Sequence, residues 1–324
     1  KKTGTSGRND LRANPNAPVD VFSVDYWKKS TAHHMKISCF TDYGPLNSKP
    51  VFTALLNSMK RSGDTVLVNN DDGQCDVSVI WSVLWQGRMA KYKNIWNRYQ
   101  EKNKPVIVVE VGGIKRNETW KIGINGINRE ADFANQNVDG SRWKKFNLQL
   151  KPWNQTGNDI IICGQHHSSH QWRNNPPMSK WFDQQVTEIR KYTDRPIAIR
   201  PHPRNNVSID VRKYQNVRIV GPQRDRSTYD DTDLADRLKS AWAVVNHSSN
   251  PAMTAAIAGI PAYVSEASLS YDVGNKNFQN INNPEMPDRQ NWANKLAYTE
   301  WWTKEIEEGL PWERIKNRLK EKYL

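Results

Sequence analysis

The sequence predicts an α/β fold built on two mainly parallel sheets. Short β-branched runs alternate with amphipathic helical segments from about residue 35 to residue 264, which is the pattern of βαβ units. The chain has 324 residues, enough for two domains that each bury a core. A polar stretch rich in helix and strand breakers, at 151–157, separates two such series. We therefore predict one sheet on each side of it.

In the first half the pattern predicts strands and helices in alternation from Met35 onward. A helix begins with Ser48 as N-cap and Pro50 in its first turn, and Gly63 ends it. A second helix covers 87–102, where apolar residues recur at helical spacing. The predicted strands are 36–41, 65–69, 77–81 and 105–109.

The second half repeats the alternation. Its predicted strands are 159–163, 196–199, 217–220, 243–245 and 262–264, and its predicted helices are 178–192, 232–241 and 249–258. Beyond residue 270 come Asn- and Pro-rich loops and then a Trp-rich segment that we expect to be helical. The predicted domains are an N-terminal extension (1–34), two α/β domains (35–153 and 154–288), and helices at 289–324 that pack back on the first domain.

The charge of the chain favours a polyanionic partner. Lys and Arg number 47 against 34 Asp and Glu, a formal net charge of +13. Such an excess favours nucleic acid first and an anionic membrane surface second, although a basic enzyme with neither partner also fits. No apolar run approaches the ~18 residues of a membrane span, and no signal peptide opens the chain. Three widely spaced cysteines show neither a disulfide framework nor metal-ligand spacing, so we expect a cytoplasmic protein.

Phosphate-type ligands follow three predicted strands of the second half. In an open parallel sheet, ligands bind outside the carboxyl ends of the strands, so we expect one anion-binding crevice that holds the diphosphate of a nucleotide. A hydroxyl-rich turn leading into a small-residue helix at 249–258 adds backbone N–H donors. The alternatives are an ordinary helix cap and solvated surface loops. The predicted donor-binding residues are Gln165, His166, Arg200, His202, Arg204, Ser248, Ser249, Asn250 and Thr254.

Three histidines within five residues, His166, His167 and His170, could suggest a metal site. No cysteine or nearby acid completes a ligand set, so we predict no essential metal. We expect His166 and His170 to hydrogen-bond the donor phosphate or the acceptor instead.

The run from Asn246 to Pro261 resembles the nucleotide-binding signature of glycosyltransferases with the GT-B fold, particularly those of capsule-polysaccharide type. The resemblance lies in the Ser248-Ser249 pair, the helix after it and Gly259-Ile260-Pro261, with Arg200–Pro203 as a second element. It implies two Rossmann-like domains that face an interdomain cleft, and a nucleotide-sugar donor, expected to be a UDP-sugar. The chain departs from the family at Thr254, where those enzymes usually carry a glutamate for the ribose.

Transfer with inversion needs a base that takes the acceptor's hydroxyl proton. Glu110 and Asp42 each end a predicted strand beside glycine and are the candidates, with Glu110 preferred; either could instead cap a helix or form a salt bridge. Arg200 is predicted to stabilise the leaving phosphate.

The stretch 119–129 is dense in Gly, Asn, aromatic and cationic residues and is predicted to be an acceptor loop. With the Trp-rich C-terminal segment it resembles phage-encoded glycosyltransferases that act on modified DNA bases. That resemblance implies double-stranded DNA carrying 5-hydroxymethylcytosine as acceptor, in a host cytoplasm, and no obligate protein partner is inferred. The alternatives are a capsule or lipopolysaccharide glycosyltransferase and a non-catalytic nucleic-acid-binding module. The predicted acceptor-binding residues are Gly113, Lys121, Asn125, Asn128 and Arg129.

Overall fold

Two separate sheets form the centre of the structure, a computed structural model that describes residues 34–205, 207–221 and 233–324. The first sheet contains β1 (Lys36–Cys39), β2 (Thr65–Val68), β3 (Val77–Trp81), β4 (Val106–Val111), β5 (Thr119–Ile124) and β11 (Glu300–Trp302). Its order is β11-β5-β4-β3-β1-β2, with β1 to β4 mutually parallel and β5 antiparallel to both of its neighbours.

The second sheet is wholly parallel. It contains β6 (Asp159–Cys163), β7 (Ile197–Arg200), β8 (Val217–Ile219), β9 (Ala241–Asn246) and β10 (Ala262–Tyr263), in the order β10-β9-β6-β7-β8. The predicted α/β fold with two mainly parallel sheets is confirmed. Residues 35–324 form one compact unit, so the domain boundaries inside that range stay a prediction.

Helices cover both sheets. They are α1 (Ser48–Arg61), α2 (Tyr92–Glu101), α3 (Ser141–Lys145), α4 (Met178–Arg190), α5 (Leu234–Arg237), α6 (Asn250–Ala258), α7 (Gln290–Leu296), α8 (Thr303–Glu307) and α9 (Leu310–Lys322). Apolar residues at helical spacing bury one face of α1 and α4, as their sequences predict. Within the described residues, no helix combines the length and the apolar character that crossing a bilayer requires.

The small-residue helix α6 ends at Gly259, which has a left-handed φ of 86°. A side chain at this position would collide with the carbonyl oxygen of Pro152, so both the conformation and the space require glycine. The Gly-x-Pro element thus has a structural reason: it turns the chain from α6 into β10.

Several predicted segments differ from the structure. The stretch predicted as an acceptor loop begins with β5, a fully buried strand. The sequence does not indicate this strand, because Lys121 and Gly123 are residue types that strands disfavour. The helix predicted at 232–241 is α5 followed by a 3-10 turn at Leu238–Ser240, and Ala241 already belongs to β9; residue 232 lies outside the described residues. Apart from His34, the predicted N-terminal extension also lies outside them.

The C-terminal segment crosses back to the first sheet, as predicted. After α7 it forms the short strand β11, in a Trp-rich stretch whose sequence predicts a helix. Trp312 in α9 is buried, and its Nε1 donates a hydrogen bond to Oδ2 of Asp64 at 2.9 Å. In contrast, Trp292 and Leu296 of α7 share a core with Met253 of α6, so α7 packs against the second half as well.

Candidate functional site

The loops that follow β6, β7 and β9 lie side by side, because these three strands are neighbours in the second sheet. Gln165 joins them. Its Nε2 donates to the Ser248 hydroxyl and its Oε1 accepts from the Ser248 N–H, both at 3.1 Å. Its own carbonyl oxygen accepts from Nδ2 of Asn205 at 3.2 Å. The structure therefore brings together the three predicted strand ends.

Ser249 does not cap α6 with its side chain. Its hydroxyl exchanges hydrogen bonds with Asn246, accepting from Nδ2 at 2.8 Å and lying 3.1 Å from Oδ1. Among the described residues no side chain caps this helix, so the N–H groups of its first turn, to which Pro251 contributes none, keep their capacity to bind an anion. Thr254, one turn further, donates its hydroxyl to the carbonyl of Asn250 at 3.3 Å.

His166 is a buried hydrogen-bond donor that finds no acceptor among the residues the structure describes. Its Nδ1 accepts the Ser168 N–H at 3.0 Å, so the proton of the neutral ring lies on Nε2. Burial, with smaller contributions from His167 and Arg204, lowers the pKa of His166 to about 4, so the ring is neutral at pH 7. Nε2 has no hydrogen-bond partner within the described part of the chain, although only 5% of the residue is exposed. Such a group costs about 1–3 kcal/mol unless a ligand accepts the bond.

His202 repeats this arrangement beside it. Its Nδ1 accepts the Arg204 N–H at 3.1 Å, which again leaves the proton of the neutral ring on Nε2. Burial lowers its pKa to about 4, and nearby His166, Arg204 and Arg116 act in the same direction. The two rings meet edge to face with their centroids 5.8 Å apart. This corner of the site thus carries two adjacent neutral imidazole donors.

Arg200 is the last residue of β7 and is paired with a carboxylate of the protein. Only 2% of it is exposed, and its guanidinium donates to the Asp233 carboxylate at 2.9 and 3.3 Å. This buried pair joins β7 to the start of α5 and balances the charge of Arg200 within the protein. Its predicted role in stabilising the leaving phosphate stays a prediction, now for a guanidinium that already holds a carboxylate. Arg204, by contrast, is exposed at the edge of the same loop.

Residues of the two sheets meet directly at a place we call the sheet junction: Gly113, Lys121 and Asn128 from the first half, and Ser248 and Asn250 from the second. Nδ2 of Asn128 donates to the Ser248 carbonyl at 2.9 Å, and Nζ of Lys121 lies 3.4 Å from Oδ1 of Asn250. A Cβ at Gly113 would lie only 2.6 Å from that same Oδ1. Three predicted acceptor residues therefore lie against two predicted donor residues.

Lys121 stands between two glutamates on one face of the first sheet, with Glu110 opposite it on β4 and Glu300 opposite it on β11. Only 2% of Lys121 is exposed. Burial lowers its pKa, and Glu300, Glu110 and Glu130 oppose that shift. Glu110 is partly exposed at the carboxyl end of β4, where its Oε1 accepts the Val111 N–H at 2.7 Å.

Glu300 is a functional candidate that the sequence did not reveal. Its fully buried carboxylate accepts the N–H groups of Gly113, Ile114 and Lys115 at 2.9–3.1 Å and the Thr119 hydroxyl at 2.6 Å. It therefore fixes the loop after β4 on which Gly113 lies. The glycine pair at 112–113 was the one signal in the sequence for such a turn.

Asp42 lies elsewhere on the first sheet. It follows β1, which β3 separates from β4, so two strand spacings of about 4.8 Å lie between the ends that carry Asp42 and Glu110. Asp42 is exposed and lines a cavity of about 610 Å³. The cavity walls include apolar side chains and the cations Lys49 and Arg88.

Two predicted acceptor residues do not join the junction. Asn125 sits at the amino end of β4, where its side chain accepts the Val106 N–H at 2.9 Å and an N–H of Gln100 at 3.1 Å. That end lies roughly 13 Å along the strand from Glu110. Arg129 packs on the second half: its guanidinium stacks 4.2 Å from the Tyr271 ring centroid and donates to the Glu266 carbonyl.

The histidine cluster divides into separate roles. His167 pairs its Nδ1 with Oδ1 of Asn205 at 2.7 Å. The His170 ring packs against Trp85 and Trp96, at 6.0 and 5.1 Å between centroids, and its expected role in ligand binding stays a prediction. Within the described ranges, the grouping that could hold a metal ion is Asp71, Asp72 and Cys75, which follow β2 and include none of these histidines.

No protein-family model and no curated protein matches the chain. Among solved structures, the chain is similar to a β-Kdo 2,7 transferase, KpsC, of Thermosulfurimonas dismutans, with 12% identity, TM-score 0.49, and 86% of this chain and 99% of that chain covered. It is similar to the β-Kdo 2,4 transferase KpsC of that organism, with 10% identity, TM-score 0.46, and coverage of 82% and 90%. A co-structure of S. aureus MnaA with UDP matches with 13% identity, TM-score 0.33, and coverage of 89% and 96%.

Proposed function

We propose that this protein is a glycosyltransferase that takes its sugar from a nucleotide-sugar donor, expected to be a UDP-sugar. The observation that carries the proposal is the buried Nε2–H of His166, which finds no acceptor among the described residues. It lies at the carboxyl edge of a parallel sheet, where open α/β sheets bind ligands.

A diphosphate matches what this edge offers. Its oxygens accept hydrogen bonds, and the neighbourhood supplies donors: Nε2–H of His166 and His202, and the first-turn N–H groups of α6. Neutral imidazoles suit a doubly charged ligand. A neutral ring needs no carboxylate of the protein as a counter-ion, and such a carboxylate would compete with the ligand for the ring N–H. Arg204, exposed beside His202, adds a cation at the rim.

The chemistry needs a base on the acceptor side, and Glu110 is the group we propose. It is partly exposed at the carboxyl end of β4, on the same sheet face as Lys121, whose Nζ reaches α6. In this role Glu110 takes the acceptor's hydroxyl proton as the acceptor oxygen attacks the anomeric carbon. Asp42 is the second candidate for the base, since it borders the 610 Å³ cavity.

For the acceptor we propose a hydroxymethylated pyrimidine in DNA. Two features support it: the net charge of +13, and the cavity near Asp42, where Tyr43, Phe52 and Met89 provide walls for a flat ring. Lys49 and Arg88 beside them would meet backbone phosphates. A base must leave the duplex to reach such a cavity.

Mass spectrometry tests the proposal. DNA that contains 5-hydroxymethylcytosine is incubated with the protein and one of several nucleotide sugars, and the nucleosides are then weighed. We expect a hexose increment, lowered about 100-fold by His166→Phe, which removes the donor but keeps an aromatic ring. His170→Phe, whose ring packs between tryptophans, is the matched control and should keep full activity.

The other outcomes separate the alternatives. Transfer to a capsule-type glycan but not to DNA would replace the DNA acceptor with an anionic polysaccharide. Salt-sensitive DNA binding with no turnover of any nucleotide sugar would leave a non-catalytic nucleic-acid-binding protein.

A further inference from the structure

Lys121 is a buried cation with incomplete hydrogen bonding. An ammonium group has three donors. Within the described residues, Nζ makes one hydrogen bond, a long one of 3.4 Å to Oδ1 of Asn250, and forms no ion pair. Burying an unpaired charge costs several kcal/mol, roughly, so this geometry is unfavourable for the protein alone.

The nearby carboxylates each accept hydrogen bonds from other donors. Glu300 holds three backbone N–H groups and a hydroxyl. Oε1 of Glu110 accepts a backbone N–H, and Oε1 of Glu130 accepts from the side chain of Gln171. Within the described residues these acids surround Lys121 without forming an ion pair with it. Burial lowers the pKa of Lys121, and the three carboxylates oppose that shift.

The ammonium faces a second positive feature. Asn250 is the first residue of α6, whose amino end carries the positive pole of the helix and no side-chain cap. A buried cation and an uncapped helix start thus lie together at the sheet junction. The unpartnered Nε2–H of His166, one residue after the Gln165 that holds Ser248, independently marks the same edge as one that lacks an acceptor.

We propose that Lys121 binds the diphosphate of the sugar donor, so that the first sheet completes a donor site built mainly by the second. This inference rests on the proposed function. As the acceptor oxygen bonds to the anomeric carbon, the bond from that carbon to the phosphate oxygen breaks, and its electron pair stays on the diphosphate. The acceptor's proton passes to Glu110. Lys121 stabilises the negative charge that grows on the departing oxygen.

The same contact explains why the two halves meet at this point. A ligand between Lys121 and α6 would replace the weak bond to Asn250 with a charge-assisted one. Donor binding would then strengthen the junction at Gly113 and Asn128 as well.

Calorimetric titration with UDP and with uridine tests this inference. Lys121→Met keeps the length of the side chain and removes its charge. We expect UDP to bind about 100-fold more weakly and uridine, which lacks the phosphates, to bind unchanged. Lys93→Met removes an exposed cation from α2 and should alter neither affinity. If Lys121→Met fails to fold, Asn250→Asp supplies the test, because its carboxylate would pair with Lys121 and compete with the diphosphate.

The outcomes distinguish this inference from the proposed function. Equal UDP affinity in the wild type and in both Lys121→Met and Asn250→Asp would overturn the role of Lys121 and leave the donor site intact. A parallel loss of uridine binding would also overturn it, because Lys121 would then act on the whole site rather than on the phosphates. A wild-type protein that binds none of UDP, ADP, GDP or CMP would overturn both.

Discussion

Arg200 and Asp233 form a buried ion pair in which the guanidinium donates to both carboxylate oxygens, at 2.9 and 3.3 Å. The two residues are separated by 33 positions in the chain, and their contact attaches α5 to the end of β7. A buried pair of this kind is costly to break, because the remaining charge is left without compensation.

We therefore expect Arg200→Ala to destabilise the protein by about 3–5 kcal/mol, measured by urea denaturation. Arg212→Ala, which removes an exposed partner of Asp210, is the control and should leave the unfolding midpoint unchanged. Normal stability together with a large loss of UDP affinity would support the prediction that Arg200 binds the donor phosphate.

This pair shows where sequence reasoning succeeded and where it could not. The strand ends at Cys163, Arg200 and Asn246 are predictable because β-branched runs and the turn residues after them are local signals. The partner of Arg200 is not predictable, since it depends on how α5 packs. Likewise, β5 contains Lys121 and Gly123, and only its pairing with β4 and β11 makes it a strand.

Stability should fall in mild acid. Burial lowers the pKa values of His166, His170 and His202 from 6.5 to about 4. Between these values the unfolded chain binds more protons than the folded one, so the free energy of unfolding falls as the pH drops from 6.5 toward 4. Each ring contributes at most about 1.4 kcal/mol per pH unit.

Thermal unfolding at several pH values measures this effect. His166→Phe and His202→Phe should each flatten the decline by removing one group that takes up a proton on unfolding. A wild-type melting temperature that stays constant from pH 7 to pH 4.5 would contradict the buried, neutral state of these rings.

Gly113→Ala should disturb the sheet junction. The added Cβ would lie 2.6 Å from Oδ1 of Asn250 and 3.1 Å from Sδ of Met253, so these two side chains of α6 must move. Overpacking of this kind costs about 1–3 kcal/mol, and we also expect UDP affinity to fall because the contact between Lys121 and Asn250 is displaced. Gly221→Ala, where an added Cβ meets no atom of the described residues within 4 Å, is the matched control. Unaltered stability and unaltered UDP affinity in Gly113→Ala would show that the two halves are not in close contact at the sheet junction.

The last prediction concerns the acceptor. If it is DNA, the cations beside the 610 Å³ cavity should contact backbone phosphates and position the duplex without selecting its sequence. Affinity should then fall with salt, with a log–log slope of about −0.9 per neutralised phosphate. Lys49→Ala and Arg88→Ala should each reduce the magnitude of that slope by about one such unit, since each removes one phosphate contact. Arg129→Ala should change the slope less, because this guanidinium stacks on Tyr271 and donates to the Glu266 carbonyl.

Fluorescence anisotropy with a labelled duplex, over a series of salt concentrations, gives the slopes of the wild type and of the three variants. If Lys49→Ala and Arg88→Ala leave the slope unchanged, DNA binds away from this cavity. Asp42 would then no longer be a candidate for the base.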